Sequence, residues 1–150
     1  MPGTGHTWVD GDFFTAARGN ALPRGVMGVA TQSSAVTGVG ATVTDIPGCS
    51  VTFTAIASRY YKTTLHVPTL LQSSAAGDAT LYVTDAGGSE IRRAMTNIPS
   101  GGRAEETVIG YETGLSGAVT RKGRVSTSAG TVATVGGTSA PMIIVEDMGP

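Results

Sequence analysis

Charge is what this sequence has least of. Asp, Glu, Lys and Arg make up 14% of its 150 residues, where a soluble domain ordinarily carries about a quarter. Eleven acidic and ten basic side chains nearly cancel, leaving a formal charge of −1. That balance argues against a dedicated nucleic-acid binder, which needs a concentrated basic face to meet phosphates. Aromatic residues are equally sparse, at 5%. The single cysteine, Cys49, excludes an internal disulfide framework and a cysteine-based zinc site, and reads as a small apolar residue near a strand. The two histidines, His6 and His66, do not stand at a metal-ligand spacing such as HExxH, and no residue pattern implies a metal or cofactor. No stretch approaches the roughly 20 apolar residues of a membrane span. The opening Met1-Pro2-Gly3-Thr4-Gly5-His6 lacks a basic region followed by an apolar core, so it is not read as a secretory signal and synthesis in the cytoplasm is expected.

What fills the sequence instead is Gly, Ser, Thr, Ala and Val. A surface built from these with so little charge is unusual for a free monomer. It suits an assembly component, much of whose surface is covered by copies of itself or by neighbours. The length fits one domain with a core of its own.

From Gly25 onward the patterning is that of strands. Val51-Thr52-Phe53-Thr54-Ala55 alternates apolar and hydroxyl residues at period two. Tyr61, Thr63, Leu65 and Val67 share one face of the next run, with Lys62, Thr64 and His66 on the other. Leu81 and Val83 alternate with Thr80, Tyr82 and Thr84; Val108-Ile109 and Val125 mark two further runs. Met142-Ile143-Ile144-Val145 is continuously apolar, which predicts a strand buried on both faces. Between the runs lie breaker clusters: Pro47-Gly48, Ala76-Gly77-Asp78, Asp85-Ala86-Gly87-Gly88, Pro99-Ser100-Gly101-Gly102 and Gly136-Gly137. The spacing of Asp85-Ala86-Gly87-Gly88 between the Leu81 and Ile91 runs predicts a hairpin. Short strands at regular intervals predict one all-β domain over residues 25–150, a single antiparallel, jelly-roll-like β-sandwich.

Residues 1–24 differ. They hold the only tryptophan, Trp8, and two of the three phenylalanines, Phe13 and Phe14. Val9-Asp10-Gly11-Asp12 is turn-forming, and Thr15 can cap a short helical turn through Ala16 and Ala17 before Gly19 and Pro23 stop it. The reading is an N-terminal arm. Its aromatics either anchor a partner or fold back over the core.

Chemistry is hard to assemble from these residues. No GxSxG turn marks a nucleophile. Glu105 and Glu106 are adjacent, so on a strand they face opposite ways and cannot act together as paired carboxylates; only the fold could bring Asp85 or Glu112 near. Gly25-Val26-Met27-Gly28 and Gly38-Val39-Gly40 lack the helix and Lys-Ser/Thr of a phosphate loop and suit turns and bulges. Arg92, Arg93, Arg103, Arg121, Lys122 and Arg124 read as solvated strand faces. An enzyme is not expected.

The segment from Trp8 to Asn20 resembles the opening of many phage tail-fibre, minor tail and head-fibre proteins, matching at Trp8, Gly11, Asp12, Thr15, Ala16, Ala17 and Asn20. It departs at Arg18-Gly19, where those proteins carry a longer helix. Arg59-Tyr60-Tyr61-Lys62 and the ending Ile143 to Pro150 are similar to strands of small sandwich modules in phages of actinobacteria. The resemblance implies a virion protein whose arm attaches to the particle, with Trp8, Asp12, Phe13, Phe14 and Asn20 as the partner-binding anchor, and whose sandwich projects, often as a homotrimer. It leaves open a minor tail or fibre protein and a capsid decoration protein. A carbohydrate-binding module for host-surface glycans is the alternative of another class. Its exposed aromatics would have to come from Tyr60, Tyr82 and Tyr111, since Phe53 and Tyr61 face the core.

Overall fold

A computed structural model of the protein describes residues 22–73, 75–134 and 140–150. All its regular structure is β: β1 (Gly25–Thr31), β2 (Val36–Val39), β3 (Thr44–Ala55), β4 (Tyr60–Gln72), β5 (Gly77–Thr84), β6 (Glu90–Ile98), β7 (Arg103–Glu112), β8 (Gly117–Thr127), β9 (Val132–Thr134) and β10 (Met142–Gly149). The strands form two antiparallel sheets. Four of them, in the order β3-β8-β5-β6, make one. In the six-stranded sheet β4 is central: β7 pairs along one edge, while β10 and β9 pair end to end along the other, backed by β1 and β2. The result is the all-β antiparallel sandwich that the patterning predicts. The helical turn expected in the arm, and the arm itself up to residue 21, lie outside the described residues.

Period-two patterning places the core between the sheets. Tyr61, Thr63, Leu65 and Val67 of β4 are buried, as are Val51, Phe53 and Ala55 of β3, Leu81 and Val83 of β5, Val108 of β7, Val125 of β8 and Ile143 and Val145 of β10. Phe53 and Tyr61 meet with ring centroids 5.1 Å apart and planes tilted by 47°, an aromatic contact from opposite sheets. The Tyr61 hydroxyl accepts from the Ile56 N–H at 2.7 Å, so its polar end is satisfied. Cys49 is buried as expected, and burial pushes its thiol up to about 11.

Two expectations need correction. Met142-Ile143-Ile144-Val145 is not buried on both faces: Ile143 and Val145 are, while Met142 and Ile144 are half-buried on the outside of the sheet. Nothing in a run of four apolar residues distinguishes the two cases. Pro47-Gly48 does not separate strands but lies within β3, as a bulge where the pairing with β8 shifts between Asp45 and Ser50. β3 is an edge strand, where a missing N–H is tolerated. Gly48 supplies a φ of 84° there, and a Cβ on it would stand 2.5 Å from the Thr31 carbonyl oxygen. The hairpin at Asp85-Ala86-Gly87-Gly88 forms as expected, closed by Asp85 N–H to Ser89 O at 3.0 Å. The turn at Pro99–Gly102 is closed by Gly102 N–H to Pro99 O at 2.8 Å.

Gly38 shares the left-handed backbone, at φ 66°, but has open space around it. Gly38→Ala should therefore cost about 1–2 kcal/mol of stability, from backbone strain alone. Gly48→Ala should cost a further 1–3 kcal/mol, roughly, because the new methyl also meets fixed backbone. Urea denaturation of the two variants checks this; equal losses would mean that the bulge relaxes freely.

Candidate interaction face

The alternation that fills the core leaves the other side of each strand facing out, and the two outer faces differ in kind. On the four-stranded sheet the outer face is mostly polar, with Met95, 61% exposed, its one large apolar side chain among the described residues that stands out into water. Asp45 accepts from Arg124 Nε at 2.6 Å and from Lys122 Nζ at 3.2 Å. Thr52 and Thr120 share a hydroxyl hydrogen bond of 2.8 Å, and Tyr82 and Ser126 one of 3.1 Å.

The outer face of the six-stranded sheet is largely apolar. Register sets it out in cross-strand rows. Val29, Ile144, Thr64 and Ile109 form one row, and Val26, Glu146, Lys62 and Tyr111 the next. Thr31, Met142, His66 and Thr107 form the third. Tyr60 and Met148 extend the same face toward the end where β4 begins. Tyr111 is 67% exposed, Val26 59%, Val29 53% and Ile109 41%. Large apolar side chains standing this far into water across one face are what mark an interaction surface. Lys62 Nζ meets Glu146 Oε2 at 2.6 Å within it. His66 Nδ1 bonds Thr107 Oγ1 at 2.9 Å, with Glu105 3.9 Å from the other ring nitrogen. Flanked by Ile144 and Ile109, the Thr64 hydroxyl is buried and has no hydrogen-bond partner among the described residues, a sign of how closely the apolar neighbours cover it.

Buried ionic groups hold the end of the sandwich where the arm begins. Arg59 Nε donates to Asp147 Oδ2 at 2.6 Å, and both side chains are almost wholly buried. Arg59 Nη2 also donates to the Leu22 carbonyl at 2.5 Å, tying down the chain just after residue 21. Burial by itself pushes the Asp147 carboxyl up; the Arg59 hydrogen bond, the Gly149 N–H and the charges of Arg59 and Arg24 outweigh it and hold the group below its usual value. Arg121 departs from the expectation of a solvated strand face. It is buried at an inward position of β8 and clasps Glu112 with two bonds of 2.7 Å, which satisfy its charge there.

At that same end lies a cleft of about 530 Å³, to which the fold brings both Asp85 and Glu112, with Arg121, Ile91, Leu115 and Val119 around them. Its Asp85 and Glu112 carboxylates are committed, and Glu90, also on the lining, lies 3.7 Å from Arg93 Nη1. Asp85 accepts from the Ser89 N–H at 2.8 Å, and Glu112 is held by Arg121. Glu105 is on the outer face beside His66 and is not part of the cleft, while the Glu106 carboxylate folds onto the Thr107 N–H. Among the described residues no cluster of His, Cys, Asp and Glu could hold a metal ion, and no helix is long and apolar enough to cross a membrane.

The anchor residues expected from the sequence, Trp8, Asp12, Phe13, Phe14 and Asn20, lie outside the described residues. Sequence reasoning did not find the exposed face. Its signal was present in Thr107-Val108-Ile109-Gly110-Tyr111, where the apolar residues at 109 and 111 fall on the opposite side from Val108. Of the aromatics weighed for sugar stacking, Tyr60 and Tyr111 are exposed on this face and Tyr82 is half-buried on the other sheet.

No protein-family model and no curated protein matches the sequence. Among solved structures, the chain is similar to the tripod of the baseplate of bacteriophage Tuc2009. The identity is 17% and the TM-score 0.44, over 98% of this chain and 75% of the other. It is also similar to an arabinose-bound α-L-arabinofuranosidase, at 15% identity and a TM-score of 0.34, over 87% of this chain and 24% of that one. At these identities and TM-scores neither likeness carries an argument about this chain, and its own residues must decide its function.

Asp147→Asn removes the carboxylate from a buried ion pair and should cost about 3–5 kcal/mol at neutral pH. The carboxyl is held below its ordinary value of 3.8 when folded, so its contribution is complete above that pH and is lost as the pH falls through the lower, folded value. The stability gap between wild type and variant should therefore close in acid. Denaturation curves at pH 7 and at successively lower pH measure it; a gap that does not change with pH would rule out the ion pair as its source.

Proposed function

We propose that this chain is a non-enzymatic structural protein of a bacteriophage particle. Residues 1–24 attach it to the particle, and the sandwich of residues 25–150 projects as a homo-oligomer, in the manner of a minor tail or fibre protein. The observation that carries this reading is the exposed apolar outer face of the six-stranded sheet. Val26, Val29, Ile109 and Tyr111 stand exposed there, and covering each such side chain is worth roughly 1.5–3 kcal/mol if it is fully buried. Low charge throughout the chain points the same way, since a surface to be covered by copies loses little by carrying few ions. The resemblance from Trp8 to Asn20 supplies the particle, and implies a trimer and contacts with other virion proteins. A decoration protein on the capsid shell would use the same arm and face.

A second reading has one specific observation behind it. Tyr111 stands opposite Lys62, and Tyr60 is two residues before Lys62 on the same face, so the two exposed rings are diagonal neighbours. Such a pair could stack against a sugar of a host-surface glycan.

The full-length protein should run in sedimentation as a trimer or another closed oligomer, and Tyr111→Lys should reduce it to a monomer with an unchanged circular dichroism spectrum. Antibody labelling of purified particles should then mark either the tail or the shell. A wild-type monomer at every concentration, together with strong signals on a glycan array that Tyr111→Ala abolishes, would replace the structural reading with the glycan one.

A further inference from the structure

The apolar face is not uniform, and its pattern bears on how copies meet. Most of the exposed apolar side chains stand on its two flanking strands, Val26 and Val29 on β1 and Ile109 and Tyr111 on β7, while Tyr60 on β4 and Met148 on β10 stand at one end of the centre. The central strands, β10 and β4, carry the polar groups: the Lys62–Glu146 pair, with both side chains part-exposed, and His66. A two-fold dimer packed face to face would lay these polar centres over each other. It would strip water from an ion pair whose attraction does not reliably repay that loss.

Size points the same way. Four strands about 4.8 Å apart and seven residues long make a flat area of roughly 400 Å². A stable specific interface buries about 800 Å² per partner. A single flat face therefore falls short, and more of the surface must take part.

The β7 flank continues around its edge into a groove of about 290 Å³ between β6 and β7, lined by Ile91, Arg92, Ile109, Gly110 and Tyr111. Gly110 allows the two strands to close up: a Cβ there would stand 3.3 Å from Ile91 Cγ2 and 3.4 Å from Arg92 Cβ. The β1 flank is an edge strand, Gly25–Thr31, irregular only where its pairing with β10 shifts between Val26 and Gly28, and with no charged residue or proline along it. Edges that are meant to stay free usually carry such guards.

We infer that self-association is head to tail. The β1 flank of one copy, with Val26 and Val29, seats on the β7 flank of a second copy, against Ile109, Tyr111 and the adjoining β6–β7 groove. This inference rests on the self-association proposed above and assigns its two surfaces. Each copy uses two different patches, so the contact repeats from copy to copy, and a rotation that closes makes it a ring. Both apolar flanks and the groove leave water, while Lys62 and Glu146 stay at the rim of each contact.

Mixing damaged copies tests it, with full-length chains throughout. Val29→Asp spoils only the β1 patch and Ile109→Asp only the β7 patch. Both side chains are already exposed, so each variant should keep the wild-type circular dichroism spectrum and fold. Thr52→Asp, on the outer face of the other sheet, is the control and should keep the wild-type mass. By light scattering, each of the two flank variants alone should be a monomer. An equimolar mixture should form a species of two copies and go no further, because the intact β1 patch of the Ile109 variant meets the intact β7 patch of the Val29 variant. A wild-type oligomer whose variants remain monomers when mixed, or one of which keeps the full mass alone, would overturn the head-to-tail contact and leave self-association standing. A wild-type monomer would overturn both. Should either aspartate variant fail the spectroscopic check, Val29→Thr and Ile109→Thr carry the same test, read as a weaker self-association that the mixture partly restores.

Discussion

The six-stranded sheet depends on one strand. β4 bonds to β7 along one edge and to both β10 and β9 along the other, so its side-chain phase sets which residues of its neighbours face inward. Over thirteen residues that phase has to change once. Pro68 and Thr69 lie in a bulge where the pairing with β7 shifts between Val67 and Leu70. Odd-numbered positions point inward up to Val67, and Leu70 and Gln72 do so beyond it. Without the shift, Leu70 would face water and Leu71 would turn inward. An extra residue in one strand re-aims everything after it, which is how one strand serves the main sandwich and the short β9–β2 extension together.

Because the interior is filled from both sheets by alternating residues, ions are pushed to the open end. Two buried pairs stand there, Arg59–Asp147 and Arg121–Glu112. Neither is strong evidence of net stability, since removing ions from water costs about as much as their attraction returns. Their effect is geometric. Arg121 on β8 and Glu112 on β7 join the two sheets, and Arg59 fixes both the last strand and the Leu22 carbonyl. The chain therefore enters the sandwich at a defined corner, beside Tyr60 and Met148 on the apolar face. The residues that follow the proposed arm and the face proposed to associate are thereby held at neighbouring positions by the same buried arginine.

The contrast between the two outer faces follows from the low charge of the chain. With few ions available, most are spent in pairs: on the polar sheet around Asp45, at the open end, and in the single Lys62–Glu146 contact on the other sheet. That leaves the flanks of the six-stranded sheet, apart from Arg103 and Glu105 near one end of β7, with apolar and hydroxyl side chains, a poor surface for a solitary molecule and a good one for contact with a copy of itself.

The sequence by itself determined the fold class, the position of most strands and the core face of the best-patterned ones, such as Tyr61–Val67. It did so because side-chain alternation in a strand is local and survives in the order of residues. It also located the hairpin at Asp85–Gly88, where glycines meet a local backbone demand. Only the tertiary structure decided which apolar residues are left outside. Ile144 and Ile109 lie next to Ile143 and Val108 in the chain; alternation puts the members of each pair on opposite faces, but nothing local says which face is covered. That depends on which strands lie alongside and in what register, and on whether a further layer covers the sheet. The same holds for Arg121, whose charge at an inward position is satisfied by Glu112 of another strand, and for Pro47-Gly48, a breaker that an edge strand absorbs as a bulge. The face that carries the proposed function is made of residues brought together from β1, β10, β4 and β7, between 25 and 149 in the chain. Its existence is a property of their pairing, which no single segment encodes.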